Sequence, residues 1–529
     1  MPDKVERKWV WLYALFVMVI TTVPYALGFI LQGEEWRFTG FIFGVEDGNS
    51  YIAKMLTGAQ GAWLFRTPYT AFPQRGVLAF LPYLLLGKLS LASARHESLV
   101  WWFHIFRLAG GFMMVHATYQ FVSVFIDRIP SRRLVTAIAT VGGGLGWLAV
   151  TGLDGLWQNR LPLEFYSPET FGFMSLYGLP HLSCARALLL WGLAKYLRSG
   201  ERSWLDGFFT GSLWLLLGLM QPMTVLIGGA VIGVHLLLTG VMATSRGADL
   251  QSQWKTDFHY ALGMAILPAP LILYTAVSFL TDPFLSTWSA QNILPSPPLL
   301  DYLLAYGSML ILAGFGIQSI HKWTKDNRWF LLLGWVAIFP LLAYAPFSVQ
   351  RRLTEGVWVA ITILGIAALD TFKPRIQRVI RIFLLSSFLP GIIFIAGGLG
   401  TVMQLKSPVY RPAKEVAAFE HLGIAADPGN IVIASYATSN PLPSWAPLRM
   451  LIGHGPESIH LKDMKLRVEN FYQADADDAV RRALLEEFAV RYVFWGPQER
   501  ELGEWQPSQA NFLQEWYEKD GYHIYRVVD

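Results

Sequence analysis

The chain has 529 residues, of which 53% are hydrophobic and only 15% charged, with a mean hydropathy of +0.37 and a net charge of +4. Soluble domains carry about a quarter charged residues, so an ordinary soluble protein is excluded, and a charge excess this small argues against a nucleic-acid partner. The single cysteine, Cys184, excludes an internal disulfide, and its apolar neighbours predict a buried, inert thiol.

The N-terminus, "MPDKVERKWVWLYALFVMVITTVPYALGFIL", is basic and then apolar for longer than a signal-peptide core. It reads as an uncleaved first span over 10–31. Further spans are predicted at 99–126, 134–152, 181–198, 204–220, 222–242, 259–281, 301–321, 329–347, 353–371 and 378–398. Each has the length and hydropathy to cross about 30 Å of hydrocarbon. The fold class is therefore an all-α polytopic membrane protein of about eleven spans.

The segment "VLAFLPYLLLGKLSLAS" at 77–93 is short and holds Pro82 and Lys88. Charge decides its placement. If it lies in the interface and the N-terminus is cytoplasmic, the six inner segments hold 18 Lys and Arg, while the outer loops 153–180 and 282–300 hold almost none. If it crosses, that agreement is lost. The reading predicts a multi-pass protein of the cell membrane with a cytoplasmic N-terminus and an outer loop at 32–98.

Residues 406–529 read as a small soluble α/β domain outside the membrane, following a transmembrane domain over 1–405. "NIVIAS", "RYVFWG" and "YHIYRV" are strand-like, and "RPAKEVAAFEHL" and "ADDAVRRALLEEFAV" have helical periodicity. His454 and His460 in "GHGPESIH" lack a metal-ligand spacing and are expected to serve a loop or interface.

Three polar clusters fall on the outer side of this topology. Glu46 and Asp47, in "FGVEDGNSYIAKM", follow the first span. Asp47 with Gly48, Asn49 and Ser50 fits a helix N-cap, and a carboxylate at the membrane surface also fits a general base. Arg351 and Arg352, in "APFSVQRRLTEG", stand where basic residues are disfavoured. Arginine suits bidentate phosphate contacts, and Glu355 is near enough in sequence to pair with Arg352. The loop "LPLEFYSPETFGFMSLYGLPHLSCAR" carries Glu164, Glu169 and His181, followed by Arg186 inside a span, where ionisable groups tend to be paired or functional. The glycine run "VGGGLGW" at 141–147 falls within a predicted span and suggests close helix packing.

The layout resembles the GT-C glycosyltransferases. The resemblance rests on "VEDGNSY" in the first outer loop, "FLPYLLLGKLS" as a juxtamembrane helix and "QRRLTEG" before a late span, and it covers about residues 10–400. It implies an integral membrane enzyme that moves a sugar from a polyprenyl-phosphate carrier to a glycan, lipid or protein acceptor. Asp47 would be the base, with Glu46 as its close alternative. Arg351 and Arg352 would hold the donor phosphate, with Glu169, His181 and Glu355 as further candidates for the substrate site. The resemblance fixes no cofactor: a divalent metal is compatible but not required. A non-catalytic relative acting as a scaffold, and a transporter or lipid-handling protein, are the rival readings. Against the transporter stand the few charges deep in spans and the lack of repeated halves.

Overall fold

The computed structural model describes residues 4–90, 95–198, 202–246, 248–315 and 326–528. The chain is mostly helical and ends in a small mixed sheet. Helices stand at the predicted spans, among them Lys4–Leu31, His96–Val122, Pro180–Tyr196, Trp204–Met220 and Pro222–Arg246. Among the described residues, five are long and apolar enough to cross a membrane: Lys4–Leu31, His96–Val122, Pro222–Thr244, Gln350–Leu369 and Pro374–Val402. A sixth is added if Gln251–Ile266 and Pro268–Thr281, bent by 53° at their junction, form one span. The end of the predicted span 301–321 lies partly outside the described residues.

One predicted element differs. The span expected over 134–152 is not one helix. Helix Ile129–Val141 stops at the glycine run, and a 3₁₀ turn, Gly146–Thr151, follows. Glycine is a poor helix former. Here the run passes a buried carboxyl group: a Cβ on Gly146 would sit 2.6 Å from the Glu164 carboxylate. The run therefore belongs to a close backbone approach and not to a continuous span. The predicted segment 77–93 holds a helix of nine residues, Leu81–Leu89, about 13 Å long and too short to cross. It packs on helix Val45–Ala59 so tightly that a Cβ on Gly87 would fall 1.7 Å from the Met55 carbonyl oxygen.

The chain forms two compact units. The first comprises 1–22, 105–276 and 294–397; the second comprises 23–104, 277–293 and 398–529. In the first, a core of aliphatic and aromatic side chains includes Trp335, Trp358, Tyr302 and Tyr306, and the Trp358 indole donates to the Ile138 carbonyl at 3.1 Å.

The second unit holds both sheets. Strand β1 (Trp36–Phe38) pairs antiparallel with β2 (Tyr410–Pro412). The larger sheet contains β3 (Ile431–Ile433), β4 (Arg449–Met450), β5 (Val490–Trp495), β6 (Leu513–Lys519) and β7 (Tyr522–Val527), in the order β4-β3-β5-β7-β6. Strand β3 runs parallel to β4 and β5, and β7 runs antiparallel to β5 and β6. Alternating side chains cover two faces. Ile433, Val493 and Trp495 pack with Met464, Val468 and Leu484 from helices Leu461–Phe471 and Asp478–Glu487. Val432, Phe494 and Ile524 pack with Val416, Phe419 and Leu422 from helix Ala413–Ala425. This is a helix–sheet–helix sandwich, as period-two strands buried on both sides require.

The tail is stitched to residues 32–98 by hydrogen bonds and a ring stack. The Asn49 amide donates to Asn440 Oδ1 at 2.8 Å, Arg449 donates to the carbonyls of Thr70 and Phe72 at 2.8 and 3.1 Å, and His96 stacks on Trp445 with ring centroids 3.6 Å apart.

Candidate functional site

Glu46 and Asp47 lie in the first turn of helix Val45–Ala59. The cap is not Asp47, as the sequence suggested, but Gly44, which turns the chain with φ +55. Both acids favour the positive end of the helix dipole. Their surroundings then separate them. Glu46 Oε1 accepts from the Tyr436 hydroxyl and from the Gly455 amide (2.8 Å), while the Glu46 carbonyl accepts from the Asn440 amide at 3.3 Å. Glu46 is thereby an anchor for the tail. Asp47 is 59% exposed at its side chain, and its Oδ1 lies 3.1 Å from His454 Nε2.

Behind His454 is a buried ion pair. Glu457 Oε1 receives Lys54 Nζ at 2.6 Å and the Ser50 hydroxyl at 3.0 Å, and Glu457 Oε2 receives the Thr67 hydroxyl at 2.6 Å. The Lys54 and Glu457 side chains are 1% and 3% exposed. Lys54 also lies over the Phe80 ring at 4.4 Å. Burial works to raise the Glu457 carboxyl, but the ammonium and the imidazole outweigh it and hold it below the usual carboxylate range. For His454, burial works to lower the imidazole, but Glu457 and Asp47 outweigh it and hold it above the usual histidine range.

The arginines belong to the first unit. Arg351 and Arg352 sit in the 3₁₀ turn Gln350–Thr354. Arg352 Nε faces Glu169 Oε1 at 3.5 Å, with side chains 35% and 6% exposed. Arg351 lays its guanidinium over the Tyr166 ring at 4.7 Å, and its buried Nε has no hydrogen-bond partner. Glu355 does not pair with Arg352, as the sequence spacing suggested. It receives Arg186 Nε at 2.5 Å, and Arg186 also donates to the carbonyls of Pro168 and Glu169, each at 3.0 Å. Arg186 and Glu355 are both buried, and the opposite charge and these hydrogen bonds hold the pair together. This leaves Arg352, which meets Glu169 at 3.5 Å and is partly exposed, more available than Arg186. His181 stands half-buried near the start of helix Pro180–Tyr196.

Glu164 is buried in the turn Leu163–Phe165, where its Oε1 accepts from the Gly146 amide at 2.8 Å. Burial pushes its carboxyl up to about 7.

The sequence left a divalent metal open. Among the described residues no group of three or more His, Cys, Asp and Glu side chains is placed to hold one.

The archaeal oligosaccharyltransferase of Archaeoglobus fulgidus in its apo form superposes with a TM-score of 0.54 at 11% identity, covering 97% of this chain and 74% of that one. The archaeal oligosaccharyltransferase AglB from the same organism, in complex with an inhibitory peptide and a dolichol-phosphate, gives 0.51 at 12% identity, covering 99% and 74%. The mycobacterial arabinofuranosyltransferase AftD gives 0.54 at 12% identity, covering 97% of this chain and 41% of AftD. The chain has the GT-C fold. At these identities the likeness is one of architecture. No protein-family model and no curated protein sequence matches the chain.

Within this GT-C fold, sequence reasoning singled out the acid pair, the arginine pair and Arg186. It missed Lys54, Tyr436 and Glu457, and gave His454 a loop or interface role with no part in the chemistry. One signal was available: Lys54 sits among Ile52, Ala53, Met55 and Leu56, and a lysine surrounded by apolar neighbours on a helix calls for a buried partner.

Proposed function

We propose that the chain is an integral membrane glycosyltransferase. It moves a sugar from a polyprenyl-phosphate carrier to an acceptor hydroxyl at the outer membrane face, with inversion at the anomeric carbon. The observation that carries this reading is the GT-C fold, with an exposed carboxylate, Asp47, seated on the buried groups His454, Glu457 and Lys54. Asp47 takes the proton of the acceptor hydroxyl as its oxygen attacks the anomeric carbon. The bond from that carbon to the phosphate oxygen breaks, and the polyprenyl phosphate leaves with the electron pair. Arg352, and Arg351 beside it, hold the phosphate as its charge grows. The lipid tail of the donor, lying among apolar helices, supplies orientation.

Two features support the division of roles. Glu46 is engaged by Tyr436 and Gly455, while Asp47 reaches solvent. Arg186 is locked on Glu355, while Arg352 meets Glu169 only at 3.5 Å. AglB has been solved with dolichol-phosphate, a lipid of the proposed carrier class. The proposed topology has eleven spans, a cytoplasmic N-terminus and an outer tail domain.

The test is transfer from a panel of synthetic undecaprenyl- and decaprenyl-phosphate sugars by the protein in liposomes. Asp47→Asn abolishes transfer in this reading, and Arg351→Ala with Arg352→Ala weakens donor binding. Wild-type transfer by Asp47→Asn removes the base assignment, and unchanged donor affinity in the double variant places the phosphate site elsewhere.

A further inference from the structure

His454 is flanked by a carboxylate on each side. Its Nε2 is 3.1 Å from Asp47 Oδ1, and its Nδ1 faces Glu457 Oε1 at 3.7 Å with no hydrogen-bond partner. A neutral imidazole has one N–H and one lone pair. Either tautomer therefore turns a lone pair toward a carboxylate, and only the imidazolium presents a proton to both. The other charged and titratable groups nearby leave this balance in place. Lys54 and Glu46 come from the same helix as Asp47, Tyr69 packs its ring 5.5 Å from the imidazole, and Tyr436 donates to Glu46. At the imidazole Lys54 offsets only part of the Glu457 charge, and Asp47 adds to what is left.

The loop that carries His454 is rigidly held. The Ser458 hydroxyl accepts from the amides of Gly453 and His454 at 3.0 and 3.1 Å, and the Ser458 amide donates to the His454 carbonyl at 2.9 Å. Gln291 donates to the carbonyls of Pro456 and Ser458 at 3.2 and 2.9 Å. Glu457 is fixed by three donors. The imidazole is thus aimed from behind by a group that cannot easily move.

We propose that His454 is a positioning residue for Asp47: the tail domain supplies an imidazolium that sets the orientation and charge balance of the carboxylate, and Glu457, clamped by Lys54, aims that imidazolium. This deepens the proposed function and rests on Asp47 being the base. The tail domain then completes the reactive acid, and the transfer reaction is expected to fail on the basic side as His454 loses its proton.

Two readouts test this, one of them independent of activity. In ring-¹⁵N-histidine protein in nanodiscs, the His454 resonance is identified among the eleven histidines by its loss in His454→Gln. It is expected to titrate above the ordinary midpoint of about 6.5, and Asp47→Asn is expected to lower that midpoint by about one pH unit. A midpoint at the ordinary value that Asp47→Asn does not move overturns the proposal.

In transfer from an undecaprenyl-phosphate sugar, kcat is expected to fall on the basic side at that same midpoint. His454→Gln keeps a donor for Asp47 but does not titrate. It is expected to lose about tenfold in kcat, to keep the donor KM and to erase the basic limb. A limb that persists in His454→Gln overturns the proposal. Should that variant not fold, Lys54→Met with Glu457→Gln removes the charge behind the imidazole without stranding a partner. It must lower the titration midpoint or the proposal fails. Asp47→Asn with full transfer would remove the base reading itself, and the titration would still show whether the coupling exists.

Discussion

The two polar clusters of the molecule are built with opposite signs. Around Asp47 the acid reaches solvent, while the groups that steady it, His454, Glu457 and Lys54, are buried. Around Arg352 the cation is the half-exposed member, while Glu169, Glu355 and Arg186 are buried. In both, an enclosed ion pair stands behind an exposed charge. A buried pair yields little net stability, because desolvation offsets attraction. Its effect is geometric: it restricts how the neighbouring charge is presented. The difference lies in coupling. Asp47 is joined to its buried pair through His454, whereas Arg352 meets Glu169 at 3.5 Å and Arg186 is bound to Glu355. The acid is held more firmly than the cation, as suits a base against a mobile lipid phosphate.

That contrast can be broken at several depths. The largest effect is expected at Asp47→Asn, with a loss of about 10²–10⁴ in kcat, read as sugar transfer in liposomes. Next come the buried pairs. Lys54→Ala or Arg186→Ala strands a carboxylate and is expected to cost about 3–5 kcal/mol, read by thermal unfolding in detergent. Lys54→Met with Glu457→Leu should cost far less, and an equal cost would show that the pair is more than a clamp. Arg352→Ala is expected to weaken donor binding about tenfold, the scale of one hydrogen bond to a charged group, with a smaller change in kcat.

The smallest effect is at Glu164, whose carboxyl is pushed up to about 7 by burial. A raised folded value means that the folded state holds its proton more tightly, so stability falls as pH rises from about 4.5 to 7. Glu164→Gln keeps an acceptor for the Gly146 amide and is expected to flatten that slope and raise the melting temperature above pH 7. A slope unchanged in the variant would assign it to other groups. His454 contributes with the same sign: its stabilisation is complete below its unfolded value and is lost as pH rises through its raised folded value.

The helical frame was legible because apolar length and the Lys/Arg bias are local properties of the chain. The strands "NIVIAS", "RYVFWG" and "YHIYRV" were legible by their alternation. The pairing of β1 with β2 was not, since a three-residue strand after helix Lys4–Leu31 joins a three-residue strand after helix Leu389–Val402. The glycine run was legible as close helix packing, since a Cβ on Gly144 would fall 1.9 Å from the Ala305 carbonyl oxygen of helix Leu299–Phe315. The break in the span was not, because Gly146 meets the Glu164 carboxyl, a contact that no helical period reveals. Asp47 and Arg352 were singled out because they break a local expectation, an acid pair beside a span and arginines where the expected topology disfavours them. His454 lies 407 positions from Asp47, and only the folded tail brings it there. Glu46 and Asp47 were inseparable by sequence, because what divides them is Tyr436 and Gly455 on one and His454 on the other.

That division is the central claim, and it is tested by comparing Asp47→Asn with Glu46→Gln in the same transfer assay. Gln at 46 keeps an oxygen for Tyr436 and Gly455, so Glu46→Gln is expected to transfer within about threefold of wild type, the range of a substitution that leaves its contacts in place. Asp47→Asn is expected to be inactive. The reverse order, with Glu46→Gln inactive and Asp47→Asn working, would contradict the account.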